Sequence, residues 1–177
     1  MADRPVQRDV LEGLLARMVR GGWEFDFYQA VWLLERFAGD GAGIGRRGPV
    51  SKEPVRFRPD ASVSFPSTDV RRITRWKDPA SGEAVYRVEQ TFLGLYGVAS
   101  PLPVHYAYHV GRSIEEAAPT RTIGDESTAL PEDAETSPVR DFLDIFHHRL
   151  TSLYYRAWAK YRFDRTFPLP DHDRITD

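Results

Sequence analysis

At 177 residues, 41% hydrophobic and 12% aromatic, the chain is long enough to close one hydrophobic core, or a domain with an appendage. It has no cysteine, which excludes disulfides, thiolate chemistry and cysteine-ligated zinc. A net charge of −2 gives no global attraction for nucleic acid, and neither a signal pattern nor an apolar run near the ~20 residues of a membrane span is present, so a cytosolic protein is expected.

Val6, Val10, Leu14 and Met18 recur at helical spacing and predict a first helix over residues 6–20, stopped by Gly21-Gly22. A second helix is predicted from about Asp26 to Phe37, with Phe27, Val31, Leu34 and Phe37 on one face and Trp32 and Leu33 widening it. Gly39 to Gly48 reads as a flexible connector. Its Gly43-Ile-Gly45-Arg-Arg-Gly48 has the letters of a dinucleotide-binding loop, but that fingerprint needs a strand before it and a helix after it. Here a helix comes first and Pro49 with a strand pattern follows, which favours the connector.

Val55–Arg58, Ser62–Phe65 and Ala84–Phe92 alternate as half-buried strands do, punctuated by Pro54, Pro59, Pro66 and an Asp78–Gly82 turn. They predict a small antiparallel meander over about residues 54–96. Arg46–Lys77 holds nine basic residues against three acidic, a net of +6. With Trp76 among Arg71, Arg72, Arg75 and Lys77, this block keeps open an alternative, a nucleic-acid-binding module over residues 46–77. His105 and His109 have no acid between them, which favours packing with Tyr106 and Tyr108 over metal binding. Ser100 precedes Pro101 outside any nucleophile-elbow setting, so hydrolase chemistry has no support. Arg112–Pro138 holds two basic residues against seven acidic, a net of −5, and residues 115–138 lack periodicity. A long acidic loop is expected there, of a kind that can order on a partner.

Ser137 followed by Pro138 marks the start of a long helix reaching Arg162. Val139, Phe142, Phe146, Leu150, Leu153, Ala157 and Tyr161 form one stripe, widened by Leu143, His147, Tyr154 and Trp158. About 25 residues at 1.5 Å each give a rod of roughly 37 Å. So aromatic a helix requires neighbours on more than one side, some of them from other chains. Asp141, Asp144 and His148 share a face as metal ligands can, but a favourable N-terminal turn and an Asp144–His148 pair account for them without a metal. Asp171–Asp177 reads as a helix start cut short, so an N-terminal portion of a longer protein is expected.

The expected architecture is α+β. Residues 1–38 hold the N-terminal helices, 39–53 the glycine-rich connector, 54–111 a β-rich region, 112–137 the acidic loop, and 138–177 the long helix and its cut-short end.

Four blocks stand in a specific order: Phe25–Arg36, Glu53–Pro59 with Ser62–Pro66, Phe92–Pro103, and Asp141–Arg162. Together they resemble TssG (the ImpH family) from about residue 10 to the C-terminus. The resemblance implies a structural, non-catalytic subunit of the type VI secretion baseplate, a phage-like contractile injection system, with no cofactor. It implies a hetero-oligomer that joins copies of TssF in a wedge with TssE, supports TssK docking and sheath and tube assembly, and lies near the VgrG hub. The place implied is the cytoplasmic face of the inner membrane, with no membrane insertion and no nucleic acid. Candidate partner-binding residues are Trp32, Phe142, Phe146, Leu150, Tyr154, Trp158 and Tyr161, with Glu126, Glu132 and Asp133 in the acidic loop.

Overall fold

The computed structural model describes residues 4–38, 43–46, 50–77, 82, 84–117 and 137–162. Helix α1 spans Arg4–Arg20, with Arg17 and Arg20 in its last turn where the helix dipole favours cations. After a short 3-10 turn at Gly22–Glu24, α2 spans Phe27–Phe37. Asp26 caps α2 by accepting from the N–H groups of Tyr28 and Gln29 at 3.0 and 3.3 Å, which places the start within a residue of the expected one. Its buried face is Phe27, Ala30, Val31 and Leu34.

Three strands follow, β1 at Val55–Pro59, β2 at Val70–Lys77 and β3 at Ala84–Gln90. Their order is β1-β3-β2, with β1 parallel to β3 and β2 antiparallel to it, so the sheet is mixed and the expected antiparallel meander is corrected. The predicted Ser62–Phe65 strand is absent. That segment belongs to the Asp60–Asp69 connection, which carries the chain from one edge of the sheet to the other. In its place β2 forms from the basic block. A bulge between Val70 and Arg72 breaks the two-residue period, so Val70 and Ile73 both reach the core three residues apart. The 78–83 connection joins Lys77 to its strand partner Ala84, and residues 78–81 of the predicted turn lie outside the described residues.

Two further helices follow among the described residues, α3 at Val104–Ala117 and α4 at Pro138–Lys160. Helix α3 occupies what was expected to be the end of the β-rich region and the start of the acidic loop. Residues 118–136 and 163–177 lie outside the described residues, and with them Glu126, Glu132, Asp133 and the predicted cut-short end.

The core gathers Met18 from α1, Phe27, Val31 and Leu34 from α2, Val55 and Phe57 from β1, Val70 and Ile73 from β2, Tyr86 and Val88 from β3, and Tyr155 from α4. Helices and a small sheet share this one core, and the α+β class stands.

Candidate functional site

Helix α4 begins where the sequence places it. Ser137 Oγ accepts from the Arg140 N–H at 3.2 Å, and Pro138 occupies the first turn. Its orientation is the reverse of what amphipathicity predicts. The buried residues are Arg140, His147, His148, Thr151, Ser152 and Tyr155. The exposed ones include Val139, Phe142 (60% exposed), Ile145, Phe146, Leu150, Leu153 and Tyr154. On a helical wheel the buried polar set and the exposed apolar stripe lie on roughly opposite sides. His147, expected on the apolar side, is only 1% exposed and points to the sheet.

The reason lies in the edge of β1. In a parallel ladder alternate residues direct their backbone groups to one neighbour, and those between point away. The Pro54 carbonyl and the Asp60 N–H bond to β3, so the groups of Phe57 and Pro59 face outward. Side chains of α4 satisfy them. His148 Nδ1 accepts from the Phe57 N–H at 3.3 Å, and Arg140 Nη2 donates to the Pro59 carbonyl at 3.2 Å. A strand edge that would otherwise present unpaired groups is thereby covered by a helix. Nearby, His147 Nε2 accepts from the Leu95 N–H at 2.8 Å, which anchors the loop after β3.

Asp144 is the centre of the polar network. It accepts from Arg58 Nε at 2.5 Å, from Tyr96 Oη at 2.6 Å and from His147 Nδ1 at 3.2 Å. Arg58 also bonds Asp141 at 3.0 Å, and Arg140 Nε donates to Tyr96 Oη at 3.2 Å. These partners fix both imidazole tautomers: His147 carries its proton on Nδ1 and His148 on Nε2, which donates to Glu53 Oε2 at 3.1 Å. The expected Asp144–His148 pair is thus corrected to Asp144–His147 and Glu53–His148. Burial raises the Asp144 carboxyl, but the His147 hydrogen bond, the Arg58 charge and the Tyr96 hydroxyl outweigh it and hold it below the usual range. Burial likewise opposes ionisation of Glu53, and bonds from His148 and the Gly45 backbone reverse the balance. Burial, then the Asp144 charge, pushes the Tyr96 hydroxyl well above its usual value.

The connector glycines have a structural explanation in the same helix. Gly45 adopts φ +67°, and a Cβ there would meet Arg156 Cδ at 2.9 Å and Ser152 Cβ at 3.0 Å. Its carbonyl accepts from Arg156 Nη1 at 2.6 Å and Arg149 Nη1 at 3.3 Å. The Gly45 turn is thereby pinned to α4.

Among the described residues no group of three or more His, Cys, Asp or Glu side chains is placed to hold a metal ion. Asp141 and Asp144 do share a face, but the Arg58 guanidinium lies between them where a cation would sit. His105 packs its ring on Tyr106 at 4.3 Å. In the basic block Arg71 binds Asp60, Arg72 binds Glu89, and Arg75 lies over the Tyr86 ring, so much of its charge is matched within the fold.

The candidate partner residues divide into groups. Phe142, Phe146, Leu150 and Tyr161 are exposed on α4. Trp158 and Tyr154 lean on α2, where Tyr28 stacks with Trp158 at 4.4 Å and with Tyr154 at 5.8 Å. Trp32 is half-buried with Arg36 over its ring. Tyr106 and Tyr108 of α3, expected only as packing neighbours of His105 and His109, are exposed together with Val104, and their mixture of aromatic and aliphatic residues in a helix was a usable signal of a second apolar surface.

No helix among the described residues is long and apolar enough to cross a membrane. No curated protein and no solved structure matches the chain. A family model, "Type VI secretion, TssG", matches residues 22–123 and 126–177. The match takes in α2, all three strands, α3 and α4, including both the buried network and the exposed stripe. The chain belongs to the TssG family, a structural component of the type VI secretion baseplate.

Proposed function

We propose that this chain joins copies of TssF within the baseplate wedge and supports TssK docking, with TssE in the same wedge and VgrG nearby. Its working position is the cytoplasmic face of the inner membrane, reached through protein contacts alone. The observation that carries the reading is the inverted α4. Polar side chains hold the helix to the sheet, and the apolar stripe, with Phe142, Phe146, Leu150 and Tyr161, is left facing outward. Contiguous exposed apolar surface of this kind marks a protein contact. Among the described residues the buried titratable groups of this joint are engaged with one another or with backbone.

The test is size-exclusion chromatography with light scattering of the full chain, alone and mixed with TssF from the same organism. A joint peak is the expected result. A well-folded chain that ignores TssF would overturn the reading.

A further inference from the structure

The outward stripe of α4 has a period as well as a composition. Val139, Leu143, Phe146, Leu150, Leu153 and Ala157 are spaced 4, 3, 4, 3 and 4 residues apart. That alternation is the 3.5-residue repeat with which one helix receives another by knobs-into-holes packing. Val139, Phe146, Leu150 and Leu153 are all exposed, between 42% and 51%. A helix that merely covers the edge of a sheet has no need of a regular seam on its far side.

The borders of the seam are unequal. On one side stand Arg149 and Arg156, both exposed and both basic, and the exposed Lys160 takes the next seam position at the end of the helix. Arg149 and Arg156 are one heptad apart and each directs an arm to the Gly45 carbonyl, so their cations are held beside the seam. On the other side lies the aromatic group of Tyr154, Tyr28 and Trp158. No acidic residue occurs from Ile145 to Arg162, and the two acids earlier in the helix, Asp141 and Asp144, are both bound to Arg58.

We infer that the seam receives an amphipathic helix of another protein, with apolar residues at heptad spacing and Asp or Glu along the border facing Arg149 and Arg156 and beside Lys160 at the end of the seam. The charge pattern selects against a second copy. Laid antiparallel, two α4 seams oppose basic border to basic border, which like charge disfavours; laid parallel, each basic border meets the aromatic border of the other copy, which offers no acid to answer it. This inference rests on the wedge reading above and adds the form and charge of the partner element.

The experiment uses the full chain with p-benzoylphenylalanine at position 146 or 153, co-expressed with TssF and irradiated. If TssF does not co-purify at all, the wedge reading fails. If TssF co-purifies and crosslinks within a helical segment bordered by Asp or Glu, the inference is supported. Crosslinks to a second copy, to residues 163–177 of the same chain, or to a non-helical or basic segment of a co-purified TssF overturn it, as does the absence of any crosslink. In the supported case Lys160→Glu weakens the complex about fivefold, the size of one surface charge contact. A charge reversal on the partner's acidic border restores it. Leu150→Asp weakens it at least about thirtyfold, as expected for a central seam position. An unchanged affinity in both variants also overturns the inference.

Discussion

Replacing Asp144 by alanine tests the claim that α4 is fastened through its polar face. The carboxylate is 13% exposed and accepts three hydrogen bonds, from Arg58, Tyr96 and His147. Removing it leaves the Arg58 guanidinium, 8% exposed, with Asp141 as its remaining carboxylate, and that side chain is 52% exposed. It also leaves the Nδ1–H of His147 without its acceptor. Breaking a buried ion pair on one side costs about 3–5 kcal/mol, because the surviving charge stays desolvated. For a chain of this size about 1 kcal/mol moves the melting temperature by ~2–4 °C, so a fall of roughly 6–20 °C is expected. Asp141→Ala, removing the exposed partner of the same arginine, should cost less than about 1 kcal/mol. Adding Arg58→Met to Asp144→Ala should recover part of the loss, since the orphan cation goes with it. Urea unfolding followed by far-UV circular dichroism measures all three. Equal and small losses for Asp144→Ala and Asp141→Ala would refute the argument, and would mean that apolar packing alone holds α4 in place.

Acid should loosen the same joint. Asp144 and Glu53 are both held below the usual carboxylate range in the folded chain, so on acidification the unfolded chain takes up protons first. Their contribution is complete above the ordinary carboxylate values of about 4 and is lost as pH falls through that range toward the folded values. Melting temperatures between pH 7 and pH 3 should show this slope, and Asp144→Asn should flatten it; an unaltered slope counts against the assignment. Gly45→Ala forces a side chain into positive φ against Ser152 and Arg156, and should destabilise by about 1–3 kcal/mol in urea. Gly13→Ala, in α1 with nothing within 4 Å of the added methyl, should instead stabilise by up to about 1 kcal/mol. Phe146→Asp on the exposed face should leave the melting of the isolated chain within about 0.5 kcal/mol of the parent while TssF co-elution is lost.

The sequence exposed the helix ends well, because those signals are local. Ser137 and Pro138 act within a few residues and perform their predicted roles, and Asp26, where the second helix was expected to begin, proves to be its cap. Strand pairing was illegible because it depends on distant partners. A bulge at Val70/Arg72 hid β2 inside a basic block, and nothing near β1 says that β3 rather than β2 lies beside it. The orientation of α4 was misread for a related reason. Hydrophobic periodicity assumes that the core is the chain's own, and it cannot register a buried Arg140 or His148 whose partners are backbone groups of β1 some 80 to 90 residues away. The stripe that suggested partner contacts does lie along the exposed side of the helix, but nothing in the sequence assigned the polar residues opposite it to the sheet.

The two sides of α4 also differ in how they bear load. Hydrogen bonds lose strength steeply with small changes of angle and distance, whereas apolar contact has no preferred direction. On its inner side the helix is keyed at fixed points to Phe57, Pro59 and Leu95, and it cannot slide along β1 without breaking several of these bonds together. On its outer side a heptad seam offers the same apolar contact again at the next register, so a step along it exchanges hydrocarbon for hydrocarbon. A push delivered to the outer face of α4 is therefore passed to the sheet without slip. Any yielding takes place at the outer contact, as in a clutch plate splined to its shaft.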